Sequence, residues 1–222
     1  DRPLGPADYE KLRDDVEELG QARLGFMMKD IQRFGLSQPS MPMVFSSVPG
    51  PPPSSSPIGR LFFLTEFESH TRLVEGRWPE AAPVFQEKVL VMEAVMGARA
   101  AFSMGLKKLS EDNQIHLLPF LTELEERITL NIVGLVEPID TREEYWMHHP
   151  AYFDAQGRMV FIYLPEDTFF GGLGKKYPSL VGTFGWYFYL DTGVLTADLA
   201  VPTKDAILSL EKDINKRVPR SF

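Results

Sequence analysis

The chain has 222 residues, 44% apolar and 24% charged, which suffices for a buried core and argues against disorder. Its formal net charge of -8 works against a nucleic-acid partner, because phosphate binding relies on lysine and arginine releasing counterions, and against docking of an acidic surface on anionic lipid. The absence of cysteine excludes thiol nucleophiles, disulfides and thiolate metal sites.

Residues 7–21 read as a surface helix, since Tyr9, Leu12, Val16 and Leu19 recur at helical spacing among charges. Residues 25–34 read as extended. The stretch 48–57 is a proline/serine loop that lacks backbone donors, favours polyproline II and cannot pair into a sheet. Residues 61–64 form a short strand. Thr65 with Glu68 three residues later is a capping-box signature for a helix through Leu73, which Gly76 stops and Pro79 keeps from resuming.

A buried strand is expected over 88–92, then a helix over 93–104 that ends at Gly105. Residues 114–118 and 126–137 read as strands; in the second, Ile128, Leu130 and Ile132 share one face. Thr141 with Glu144 is a second capping-box signature, opening a short helix that carries Tyr145 and Trp146. Residues 154–157 form a turn and 159–164 a strand. An aromatic strand follows over 184–190, a turn at 191–193 and a return strand over 194–199. Pro202 and Thr203 then start a terminal helix with Ile207, Leu210, Ile214 and Val218 on one face. Strands and helices alternate without βαβ regularity, which predicts an α+β fold with mixed sheets.

No stretch supplies the ~18 apolar residues that span a bilayer. The start at Asp1, with no signal-peptide core, has the look of a fragment cut from a larger protein. Catalytic signatures are sparse. His148 and His149 with Glu143, Glu144 and Asp154 could form a metal site, but neighbouring side chains on a strand diverge, and a polar loop is the simpler reading. The run Gly171-Gly-Leu-Gly-Lys-Lys176 lacks the first glycine and the hydroxyl residue of a phosphate loop, and Pro178 follows where its helix should begin. Trp78, Trp146 and Trp186 with sixteen phenylalanines could line a pocket, and core packing is the simpler account. Arg77 beside Trp78 suits a salt-bridged hinge or a cation–π contact.

Taken together, Leu73-Val-Glu-Gly-Arg-Trp-Pro79, the strand and helix from Val89 to Leu106, Ile132-Val-Gly-Leu-Val136, Asp140 with Glu144-Tyr-Trp146, and the strand-then-helix from Trp186 to Val218 make the chain resemble the extracytoplasmic domain of FtsX-like, MacB-type ABC transporter permeases. The resemblance covers residues 60–218; the proline/serine loop and the long N-terminal segment depart from it. It implies a porter-like α/β subdomain from 1–78 and 180–222 and an inserted β-rich, sabre-like subdomain over 79–179. It also implies a place between two transmembrane helices on the extracytoplasmic side of a bacterial cytoplasmic membrane.

The role implied is non-enzymatic, without cofactor or metal. A cytoplasmic ABC ATPase would drive the transmembrane helices, and the domain would carry that motion to a lipid or peptide substrate or to an extracytoplasmic partner protein. Gly76, Arg77, Trp78 and Pro79 would form a mechanical corner, with Gly134, Pro138, Tyr145 and Trp146 at the subdomain interface. The terminal helices, 7–21 and 203–218, should end near each other, toward the membrane. Two other readings compete: a soluble ligand- or peptide-binding module with an aromatic cleft around Trp146 and Trp186, and a metal-dependent enzyme at His148 and His149.

Overall fold

The computed structural model describes residues 5–38, 41–44, 52, 54–80, 82–106, 108–109, 114–120, 126–146, 150–155 and 157–217. Helices and a large mixed sheet give an α+β fold, as the sequence predicts. The chain divides into two compact units, 1–33 with 185–222, and 34–184.

The smaller unit holds helix α1 (Pro6–Leu24), the start of strand β1 (Met28–Ser37), the end of strand β10 (Val181–Leu190) and helix α5 (Ala197–Arg217). Tyr9, Leu12, Val16 and Leu19 form the buried stripe of α1, because apolar side chains three and four apart share one helical face. Leu19, Leu24 and Leu210 make its core, with Phe188, Leu190, Ala206 and Ile214 packed on them. Gly20 lets the ring of Phe188 lie on the helix backbone, where any Cβ would collide with it. The two helices run antiparallel, since Arg23 meets Asp213 at 2.6 Å and Arg217 meets Asp15 at 2.9 Å. The Arg23 guanidinium, and then Lys216, hold the Asp213 carboxyl below the usual range.

The larger unit is built on a ring of strands. β3 (Ile58–Leu64) pairs with β2 (Met41–Val44), β2 with β7 (Gln114–Leu117), and β7 with β8 (Arg127–Pro138). β8 pairs with β6 (Val89–Gly97), β6 with β9 (Met159–Tyr163), and β9 returns to β3, closing a mixed six-stranded barrel. Alternation along each strand sends one set of side chains inward. The registers align Met43 with Leu117, Leu117 with Ile128, Ile128 with Leu90, and Leu61 with Ile162. These side chains are 0–1% exposed, so the barrel is filled rather than hollow. Gly59 makes room for the Leu117 and Met43 side chains beside it.

The outer face of β3 and β9 carries a second core. Phe62, Leu64, Phe161 and Tyr163 pack there with Phe67, Val95, Val136, Trp146 and Phe153. Short 3-10 turns at Glu144–Trp146 and Pro150–Phe153 supply the last two rings. Helix α4 (Glu166–Thr168) continues as a π-helical stretch, Phe169–Gly174, whose first two rings meet Phe63.

Four expectations need correction. The helix through Leu73 shrinks to α2 (Phe67–His70), and the chain turns at once into strand β4 (Thr71–Gly76). Residues 71–76 have an open stretch of β8 to pair with, from Thr71↔Pro138 to Gly76↔Gly134, and that ladder overrides the local helical signal. Likewise β6 runs on to Gly97 along β8, so the helix after it, α3 (Ala98–Ser103), starts later than expected. The return strand over 194–199 is absent: α5 begins at Ala197 and takes Pro202 into its interior. Finally, the N-terminal boundary between units falls at 33/34, not 78/79, because β3 and β4 belong to the sheet of β9 and β8. Half of the proline/serine stretch 48–57 (48–51 and 53) lies outside the described residues.

Candidate functional site

Gly76 ends β4 rather than a helix. Its φ of 84° lies in the region that favours glycine, and a Cβ there would strike the backbone carbonyl of Val133. Its partner Gly134 is equally constrained, since a Cβ would meet the carbonyl of Arg77. Two irregularities create this close crossing. The β6–β8 register passes over Val133, and the β4–β8 register passes over Val74. Such extra residues bend a strand and raise its twist. The N–H of Arg77 then donates to the Val133 carbonyl at 2.9 Å.

Past the crossing, Arg77 clamps onto β6. Its Nη1 donates to Glu93 Oε2 at 2.6 Å, and its Nη2 donates to Glu93 Oε1. The N–H of Glu80 donates to the same Oε2 at 2.9 Å. The Arg77 guanidinium, helped by that backbone donor, holds the Glu93 carboxyl below the usual range. Trp78 is half-buried with its ring edge on Phe67, and Pro79 is buried. The corner is a clamped turn, with Arg77 taken by Glu93 rather than by the neighbouring indole.

The other predicted residues gather beside it. Pro138 pairs with Thr71 at the far end of the β4–β8 ladder. Beyond it, the indole N–H of Trp146 donates to the Asp140 carbonyl and the Tyr145 hydroxyl to the Thr65 carbonyl, both at 2.8 Å. The backbone N–H of Arg142, then its side chain, keeps the Asp140 carboxyl below the usual range. Trp146 is 2% exposed and stands edge-on to Phe67 and Phe153, which favours packing over a ligand cleft. Phe67 stacks on Tyr163, whose phenol is pushed up by burial and by Glu68 and Glu166.

All eight residues singled out from the sequence therefore surround one strand pair. They lie inside the larger unit, and the chain changes unit elsewhere, at 33/34 and 184/185. A hinge between units at the corner is not what the fold builds.

Sequence reading missed Glu93, the partner of Arg77 sixteen residues on, and the partners of His70, which reads from the sequence as a solvated or capping histidine. The His70 ring stacks on Tyr145 at 3.7 Å and its Nδ1 hydrogen-bonds the Glu143 carboxylate. Only the sheet register brings these groups together, so no spacing in the sequence could have signalled them. His148 and His149 lie outside the described residues, and among the described ones no three His, Asp or Glu side chains group to hold a metal. The Gly171–Lys176 run is helical, and Lys176 Nζ donates to the Gln86 carbonyl at 2.8 Å. No described helix is long and apolar enough to cross a membrane.

No family model, curated protein or solved structure matches the chain. The functional reading therefore rests on the residues and their geometry.

Proposed function

We propose that the chain is the extracytoplasmic domain of an ABC transporter permease, a non-enzymatic part that transmits ATP-driven movement of transmembrane helices to a substrate or partner protein. The observation that carries this reading is the antiparallel pairing of α1 and α5. Asp15, midway along α1, meets Arg217, the last residue of α5, and Arg23 near the end of α1 meets Asp213, so the N-terminal end of one helix and the C-terminal end of the other point the same way. A domain inserted between two membrane helices needs its entry and exit adjacent. The clamped corner and the filled barrel add support, because a body that carries motion outward must be stiff.

In this reading a cytoplasmic ABC ATPase supplies the energy, and the domain needs neither cofactor nor metal. The corner at Gly76 to Pro79 stiffens the larger unit, and movement between units passes through β1 and β10, the two segments that cross the boundary. The test is topological. A single cysteine at Glu10, exposed on α1, is introduced into the full-length gene product expressed in bacteria. An impermeant maleimide should label it on intact cells, and labelling only after lysis would overturn the proposal.

A further inference from the structure

We infer that the tip of the β5–β6 hairpin is a membrane contact that seats on anionic phospholipid headgroups. β5 (Val84–Phe85) is joined to β6 by a turn closed by the Gln86 N–H on the Val89 carbonyl, at 2.9 Å. All five residues from Val84 to Lys88 are exposed, with Val84 at 53% and Phe85 at 44%. Two consecutive large apolar side chains thus stand exposed beside the turn. An exposed aromatic side chain beside lysines suits the headgroup region of a bilayer, where rings are half-solvated.

Basic groups surround the tip. Lys175 Nζ lies 5.1 Å over the Phe85 ring, and Lys176 Nζ donates to the carbonyls of Gln86 at 2.8 Å and Glu87 at 3.3 Å. Lys88 sits in the turn itself. Among the described residues, Lys88, Lys175 and Lys176 stand against Glu87 in the turn and Glu126, which precedes Arg127. The chain as a whole carries -8, which would repel an anionic surface. That repulsion is screened over roughly 8 Å at physiological salt, whereas lysines at the contact act at short range with their stems along the apolar side chains. An acidic protein partner would use the same charges, but the exposed Val-Phe pair favours lipid.

The inference is independent of the permease reading and is tested on the chain as it stands. Co-sedimentation is measured with vesicles of equal parts phosphatidylcholine and phosphatidylglycerol, and with phosphatidylcholine alone. Binding is expected only to the mixed vesicles and should fall with added salt. Phe85→Ser and Lys175→Glu should each lower the bound fraction about fivefold or more, with circular dichroism unchanged. Phe102→Ser, at a residue 69% exposed on α3, should leave it unaltered. The inference is overturned by no binding, by equal binding to neutral vesicles, by full binding of both tip variants, or by loss in Phe102→Ser. Saturable binding of poly-glutamate at the tip without vesicle binding would likewise overturn it, in favour of an acidic polypeptide partner.

Discussion

Gly76 is held by two constraints that point the same way. Its φ of 84° is costly for any residue with a side chain, and the Val133 carbonyl occupies the place of a Cβ. The two compound, because relieving the clash would mean moving β8, whose register with β6 is fixed by the barrel. Gly76→Val should therefore destabilise the larger unit by about 3 kcal/mol or more, read from urea unfolding. Unchanged stability would show that the crossing can relax. The residue's importance is legible in the sequence, while its cause is not. A glycine before Arg-Trp-Pro reads as a helix stop, and only the pairing with Gly134 identifies it as a strand crossing. Tyr9, Leu12, Val16 and Leu19, by contrast, announce their burial through spacing alone, since the partner of a helical stripe does not need to be known for the stripe to be recognised.

Among the elements, β4 illustrates why local signals mislead. Thr65 and Glu68 have the pattern of a capping box, yet Glu66 adopts φ 61° and the helix lasts four residues. The strand that replaces it is stabilised by β8, sixty residues away in sequence, and no window along the chain contains both partners. The end of β4 is then tied to β6 by Arg77 and Glu93, which makes that pair a link between elements. Because Arg77 lowers the folded-state pKa of Glu93, its contribution is present above the ordinary glutamate value of about 4.3 and is lost as pH falls through the lower folded value. Wild type should thus be more stable than Glu93→Gln at neutral pH, with the gap closing under acid conditions. Both groups are partly exposed, so the gap should also shrink with added salt. A gap independent of pH, measured by denaturant unfolding across that range, would contradict the charge pairing.

For the whole molecule, the α+β class is readable from the sequence, because helix–strand alternation carries it, whereas a unit built from both chain ends is only what the resemblance implies. The boundary at 33/34 is not, since it depends on which strands 58–64 and 71–76 pair with. That boundary relocates the proposed movement: the Gly76 corner lies inside the larger unit, and the segments that pass between units are β1 and β10. The measurement that tests this most directly places spin labels at Glu10 in the smaller unit and Phe102 in the larger, both exposed, in the full-length gene product reconstituted in lipid with its cognate ATPase. Electron-paramagnetic distance distributions are recorded with ADP and with a trapped ATP state. A nucleotide-dependent shift between the two labels is predicted, while a control pair at Arg72 and Phe102, within the larger unit, stays constant. A distribution that ignores nucleotide at both pairs would contradict the role in transmitting motion.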